Sequence, residues 1–150
     1  TMREIQVSPK ISYWEATEEP LSADVGIIRE NGQVWLFDVG NGENPFLRSK
    51  ENYHIVLSHF HPDHIGNIGR IPFAELFASR ETVKHIHMGT EVREPLDLGN
   101  LRIFPIPSSH AKGCLCLICG DYAFMGDGTY AKEKIQVSNP EIGIYVFKIH

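Results

Sequence analysis

The segment from Ser58 to His64 contains the side chains best suited to metal chemistry. Three histidines and one aspartate fall within six positions, as His59, His61, Asp63 and His64. Imidazole nitrogen combined with carboxylate oxygen suits zinc, iron or manganese. Polar residues of an ordinary loop would rarely bring four such side chains together directly after an apolar strand. We therefore predict that this segment binds metal.

Two predicted elements would position these side chains. The run Ile55-Val56-Leu57 predicts a short buried strand. Side chains two apart on a strand point to the same face, so the first two histidines can converge on one ion. Pro62 favours the first turn of a helix, where its missing N–H costs nothing. Asp63 and His64 would project from that turn, so that the strand half can hold one metal ion and the helix half a second.

The segment resembles the signature of the metallo-β-lactamase-fold hydrolase superfamily. The His-x-His-x-Asp-His pattern is matched without a gap, and Gly66-Asn67 continue the match. Residues 37–40 resemble the family's upstream strand-end aspartate and glycine. Residues 109–113 resemble its third-motif histidine and following glycine, and residues 126–128 its metal-bridging aspartate. These motifs occur in the family's order, which makes the resemblance more specific than any one motif.

The resemblance implies a dinuclear site. It assigns three histidines to a first ion, an aspartate and a histidine to a second, and one aspartate to both: His59, His61 and His110; Asp63 and His64; and Asp127. Two zinc ions are expected first, with iron or manganese as alternatives. Ions ~3.5–4 Å apart can share a hydroxide by lowering the pKa of water from ~15.7 toward neutrality. Asp63 and Asp127 are the implied catalytic residues, with Asp63 orienting that hydroxide for attack on a carbonyl or phosphoryl centre.

Further site residues follow from the same resemblance. The family supplies a late histidine at a strand end, and here residues 142–149 predict a strand followed by His150, which is either that ligand or a frayed terminal residue. Asp38 is expected to orient the ligands from behind, the alternative being an Asx turn that caps its own loop. Lys112 and Tyr130 lie beside predicted ligands in the sequence and are candidate substrate-facing residues.

The cysteines and two other histidines are interpreted as structural. Cys114 and Cys116 would share one face of a strand and Cys119 the other, and a fourth thiolate is missing, so buried inert thiols are expected rather than a metal cluster. His85 and His87 share a face, but their spacing alone favours exposed polar residues.

Composition limits the class of protein. A chain of 150 residues predicts one domain spanning residues 1–150. The net charge of −5 and the lack of a Lys/Arg cluster argue against a non-specific nucleic-acid binder. The partner we expect is a small-molecule substrate. No apolar run approaches the ~20 residues of a membrane span. Three cysteines and no signal-peptide pattern lead us to expect reduced thiols and a cytoplasmic protein, with its oligomeric state left open.

The predicted elements alternate hairpins with short helices. Asn31-Gly32 between two apolar runs predicts a type I′ hairpin, and Gly99-Asn100 and Gly120-Asp121 are further hairpin candidates. The predicted strands are 3–7, 11–16, 25–30, 33–37, 54–58, 74–79, 91–98, 101–106, 115–119, 122–125 and 142–149. The predicted helices are 43–50, 62–69, 80–84 and 129–135. The second is interrupted by Gly66, which we expect to allow close approach of that helix to the site. This pattern fits an α/β (α+β) protein, and the resemblance implies a compact version of the four-layer αββα sandwich of the metallo-β-lactamase fold.

Four functions are compatible with these residues. The leading hypothesis is a dinuclear metal-dependent hydrolase of a small ester, thioester or related acyl bond. A phosphodiesterase could use the same pair of ions for in-line displacement. Because relatives of this fold use iron with nearly the same ligands, an iron redox enzyme is a third hypothesis. A catalytically degenerate metal-binding domain is the fourth.

Overall fold

A computed structural model describes residues 4–106, 113–120, 122–125 and the backbone of 145–147. The larger sheet contains β1 (Glu4–Gln6), β2 (Ile11–Trp14), β5 (Val25–Glu30), β6 (Gln33–Phe37), β7 (Tyr53–Val56), β8 (Phe73–Ala78) and β9 (Thr90–Glu91). The smaller sheet contains β10 (Leu96–Asp97), β11 (Leu101–Ile106), β12 (Cys114–Cys119), β13 (Tyr122–Phe124) and β14 (Tyr145–Phe147). A separate hairpin pairs β3 (Thr17–Glu18) with β4 (Leu21–Ser22). The helices are a 3₁₀ turn at Pro45–Arg48, α1 (Pro62–Ile65) and α2 (Arg80–Ile86).

Strand direction changes midway through the larger sheet. Its order is β1-β2-β5-β6-β7-β8-β9, antiparallel as far as β6 and parallel from β6 to β9. The predicted hairpin joins β5 to β6, with positive φ of 52° at Asn31 and 74° at Gly32, as a type I′ turn requires. Because β6, β7 and β8 run parallel, their carboxyl ends meet at one edge of the sheet, and the candidate site lies there.

The two sheets pack face to face over an apolar core. Alternation along β6 sends Trp35 and Phe37 into this core and Leu36 to the opposite face. From the smaller sheet, Leu117 and Phe124 meet them, with the rings of Phe37 and Phe124 5.8 Å apart. Each Å² of apolar surface removed from water stabilises a protein by about 25 cal/mol, so this layer contributes strongly to stability.

Helices cover the outer face of the larger sheet. Leu36, Ile55 and Leu76 lie in a second apolar cluster with Phe46 of the 3₁₀ turn and Ile65 of α1. The outer face of the smaller sheet is also apolar, through Cys114, Cys116, Ile118, Ala123 and Met125. The described residues therefore supply one helical layer and both sheets of the predicted αββα sandwich, while the predicted helix 129–135 lies outside them. No helix among the described residues is long and apolar enough to cross a membrane.

Two of the element predictions were wrong. Residues 91–98 do not form one strand, because β9 belongs to the larger sheet and β10 to the smaller. The chain crosses between the sheets at residues 92–95, where Val92 is buried in the inter-sheet core and Pro95 lacks an N–H for a strand ladder. The helix predicted over 62–69 with an interruption at Gly66 ends at Ile65 and does not resume after the glycine, since residues 66–70 continue as turns.

Candidate metal centre

The carboxyl ends of the parallel strands are held in register beyond their last residues. Asp38 N donates to the Val56 carbonyl at 2.8 Å, and Leu57 N donates to the Phe77 carbonyl at 3.0 Å. These bonds bring Asp38, which follows β6, next to Ser58, which follows β7. The polar side chains of the candidate site therefore begin on a rigid edge of the sheet.

Three imidazole rings lie together beyond that edge. The ring centroid of His59 is 4.5 Å from that of His61 and 4.2 Å from that of His64. His59 and His64 are buried, and His61 is half-buried. Convergence was expected from strand alternation, but β7 ends at Val56, so a loop brings the first two histidines together.

Helix α1 presents the second half of the motif. His61 has extended backbone at the N-cap and Pro62 occupies the first turn, as predicted. Asp63 Oδ2 lies 3.5 Å from His64 Nε2, and its side chain retains 27% exposure. The carboxylate of Asp63 is thus adjacent to the ring cluster and open to solvent.

Asp38 lies behind the cluster and is fully buried. Its Oδ1 accepts the Ser58 backbone N–H at 2.7 Å, and its Oδ2 accepts the Ser58 hydroxyl at 2.7 Å and His64 Nδ1 at 2.6 Å. These partners are 20 and 26 positions away, so the contacts are with the histidine segment and not an Asx turn within its own loop. Asp38 has a φ of 65°, a conformation that aspartate tolerates better than most residues.

Asn67, which follows α1, forms hydrogen bonds that connect this helix to the loop that carries Asp38. Its Nδ2 donates to the carbonyls of Val39 at 3.1 Å and Gly42 at 2.8 Å. In return, the backbone N–H groups of Val39 and Gly40 donate to the His64 carbonyl at 2.9 and 3.2 Å. Gly66 was expected to allow close approach of the helix to the site; the close contact found there is with Asn41, whose side-chain oxygen an added Cβ would overlap.

The remaining predicted ligands lie outside the described residues. These are His110, Asp127 and His150, together with the candidate substrate-facing residues Lys112 and Tyr130. Within the described part of the chain, no group of three or more His, Cys, Asp or Glu side chains is arranged to hold a metal ion.

The chemistry of the donor set nevertheless fits a metal. Nδ1 of His59 lies 2.8 Å from the Ser58 hydroxyl, and Nδ1 of His64 lies 2.6 Å from Asp38. In both rings Nε2 is consequently the nitrogen on the side away from these supports, which is the usual arrangement of metal-binding histidines. Sequence reasoning gave no role to Ser58, although a hydroxyl residue directly before the first histidine was the available signal.

The three cysteines and the histidines His85 and His87 occupy the structural positions that were predicted for them. Cys114 and Cys116 point to the outer face of the smaller sheet and Cys119 to the inter-sheet core, as the alternation predicted. Burial raises the pKa of the Cys116 thiol to about 12. His85 and His87 are exposed, as expected, and the ring of His85 lies 5.1 Å from that of Phe60.

No protein-family model matches the sequence, and no curated protein matches it. Solved structures do match the fold. A metallo-β-lactamase from Pontibacter korlensis aligns with a TM-score of 0.72 at 14% identity, covering 100% of this chain and 91% of that one. A flavo-diiron protein variant from Thermotoga maritima aligns with a TM-score of 0.66 at 15% identity, over 85% of this chain and 42% of that one. A diphosphatase of the PhnP family aligns with a TM-score of 0.53 at 19% identity, over 71% and 52%. The chain therefore has the metallo-β-lactamase fold.

Proposed function

We propose that this protein is a metal-dependent hydrolase with a dinuclear site that cleaves a small ester, thioester or related acyl bond. The observation that supports the proposal is the histidine cluster at the carboxyl end of β7. His59, His61 and His64 bring their rings together there, and the buried Asp38 carboxylate supports one of them directly. The cluster lies on a fold that metallo-β-lactamases also have.

The residues that would hold the ions are those of the predicted ligand set. His59, His61 and His110 would bind one ion, Asp63 and His64 the second, and Asp127 and His150 are proposed as further ligands. Bound ions would act as Lewis acids that lower the pKa of water and offset negative charge on the substrate.

Asp63 is the described residue best placed to act on a water or a substrate. Its carboxylate is partly exposed beside the rings, so it can accept a hydrogen bond from a reacting water and orient it. Buried Asp38 is shielded from substrate and acts by holding His64. Lys112 and Tyr130 are proposed to contact the substrate.

Metal content and hydrolysis measured on the same preparation test this proposal. Protein purified without chelator is expected to contain one or two zinc, iron or manganese ions and to hydrolyse a model thioester or ester. His59→Ala and His61→Ala should lose metal and activity, whereas His87→Ala, a histidine exposed on α2's C-cap, should keep both. A wild-type protein that stays metal-free after reconstitution would contradict the proposal.

A phosphodiesterase is the second candidate, favoured by the likeness in fold to a diphosphatase. Faster cleavage of a model phosphodiester than of any thioester or ester would select it.

The likeness to a flavo-diiron protein gives an iron redox enzyme as a third candidate. Iron in the elemental analysis and a visible absorption band of the isolated protein would select that one. Full metal loading without any activity would select a degenerate metal-binding domain.

A further inference from the structure

We propose that Ser58 is a positioning residue that connects Asp38 to His59 and thereby fixes which ring nitrogen of His59 carries the proton. This inference rests on the proposed function only for the identification of His59 as a metal ligand. The hydrogen-bond relay from His59 through Ser58 to Asp38 is a property of the protein without metal. One carboxylate would then set the tautomers of two histidines assigned to two different ions.

The direction of the relay follows from counting protons. A serine hydroxyl has one proton to donate and lone pairs to accept. Ser58 Oγ lies 2.7 Å from Asp38 Oδ2 and 2.8 Å from His59 Nδ1. An ionised carboxylate only accepts, so the hydroxyl proton goes to Asp38. His59 Nδ1 must then be the donor to Ser58 Oγ, and the ring carries its proton on Nδ1.

The same carboxylate sets the tautomer of His64 directly, without an intervening residue. Its Nδ1 lies 2.6 Å from Asp38 Oδ2 but 3.4 Å from Ser58 Oγ, so the carboxylate is its principal acceptor. His64 therefore also carries its proton on Nδ1. In both rings this places the lone pair on Nε2, the form that binds a metal.

The hydroxyl of Ser58 has little freedom to turn away. The residue is buried, its N–H donates to Asp38 Oδ1 at 2.7 Å, and its carbonyl accepts Leu115 N at 2.8 Å. With the backbone held on both sides, only rotation about χ1 remains, and three side-chain contacts meet at the observed position. Buried hydrogen bonds of this kind are costly to break because water does not replace them.

The test is nitrogen NMR of the histidine rings in metal-free protein labelled with ¹⁵N-histidine, at a pH where the rings are neutral. The wild type should show Nδ1–H tautomers for His59 and His64. Ser58→Ala should leave His64 as it is and convert His59 to a mixture or to the Nε2–H form. Ser58→Thr keeps the hydroxyl and should retain the wild-type tautomer. Ser12→Ala removes another buried serine hydroxyl, one on β2 that bonds Glu4 and Arg29, and should change neither ring.

Two results would overturn the relay. One is a wild-type His59 with its proton on Nε2, and the other is an Nδ1–H tautomer of His59 that persists in Ser58→Ala. If Ser58→Thr does not fold, the comparison of Ser58→Ala with Ser12→Ala decides alone.

Zinc titration with a competing chelator supplies the second readout. Loss of the orienting partner typically lowers metal affinity 10–100-fold, so Ser58→Ala should bind the first ion about 10–100-fold more weakly and Ser58→Thr close to normally. An unchanged affinity in Ser58→Ala would contradict the positioning role. Tautomers that change as expected in a protein without hydrolase activity would overturn the proposed function and leave the relay standing.

Discussion

Asp38 Oδ2 lies 2.6 Å from His64 Nδ1, although the two residues are 26 positions apart and both side chains are fully buried. This contact joins the end of β6 to α1. A buried carboxylate is tolerated only when hydrogen-bond donors compensate for its lost hydration, and three donors meet this one. The position of His64 therefore depends on Asp38.

Asp38→Asn is expected to weaken metal binding while keeping the backbone conformation. Asparagine tolerates the positive φ of this position, but its amide replaces one acceptor oxygen with a donor. At least one of the three groups that donate to the Asp38 carboxylate then faces an N–H₂ group instead of an acceptor. We expect zinc affinity to fall about 10–100-fold and the free energy of unfolding to fall by about 1–3 kcal/mol. Chelator competition and urea denaturation measure the two effects.

Asp97→Asn is the matched control. Asp97 is exposed and its Oδ1 accepts Gly99 N at 2.9 Å, a bond that the asparagine oxygen can also make. Zinc affinity should be unchanged in this variant. Equal zinc affinity in wild type and Asp38→Asn would refute the supporting role of Asp38.

Asn67→Ala is expected to loosen the loop that holds Asp38. The substitution removes the donor to the carbonyls of Val39 and Gly42 in a buried position. The unfolding free energy should fall by about 1–3 kcal/mol, the cost of leaving such buried acceptors unsatisfied. Hydrogen exchange should also become faster at the amides of Val39 and Gly40, which donate to the His64 carbonyl. Wild-type protection at both amides would show that Asn67 does not hold this loop.

Gly40→Ala should destabilise the protein more than Gly32→Ala. Both glycines have positive φ, 67° and 74°, so alanine is strained by about 1–2 kcal/mol at either position. At Gly40 an added Cβ would also lie 2.7 Å from Ser22 Oγ, whereas at Gly32 it meets nothing within 4 Å. Thermal and urea unfolding of the two variants isolate the contribution of packing beside the site. Equal losses of stability would mean that the loop accommodates the methyl group.

Cys116 is expected to resist thiol reagents in the folded protein. Burial raises the pKa of its thiol from the ordinary 9.0 to about 12, so almost no reactive thiolate exists at pH 8. Alkylation followed by mass spectrometry should modify Cys116 only after denaturation. Burial also raises the pKa of Cys119, though it is less enclosed, so it should react before Cys116. Rapid native labelling of Cys116 would contradict its burial.

The same shift predicts how stability changes in alkaline solution. The folded thiol keeps its proton at pH values where the unfolded thiol loses it, so above pH 9 the unfolded state is favoured by proton release. The contribution of Cys116 is complete below pH 9 and is lost as the pH rises toward about 12. In Cys116→Ala, the decline of the unfolding free energy over this range should be shallower.

Local signals predicted the elements well because their causes are local. The Asn31-Gly32 turn and the start of α1 at Pro62 depend on the conformational preferences of one or two residues. Residues 91–98 were misassigned because the apolar pattern on both sides of Pro95 is compatible with one strand. Only the packing of Val92 between the sheets determines that the chain changes sheet there.

Sequence patterns could not predict the hydrogen bonds in the site between residues that are far apart in the chain. The resemblance predicted that Asp38 lies near the proposed ligands, but nothing in the sequence around Asp38 indicated that Ser58 and His64 share its Oδ2 atom. The β3–β4 hairpin was also missed, since its two-residue strands are too short for a periodic pattern.

The hydrogen bond from Leu115 N to the Ser58 carbonyl ties the histidine segment to the other sheet. Asp38, Ser58 and Leu115 come from three distant parts of the chain, and contacts of such large sequence separation form slowly. During synthesis, the ribosome has made all four clustered motif residues by His64, yet the partner strand β12 is still missing. A nascent chain that ends before β12 therefore lacks this bond, and the histidine segment is anchored to both sheets only after the second sheet has been made.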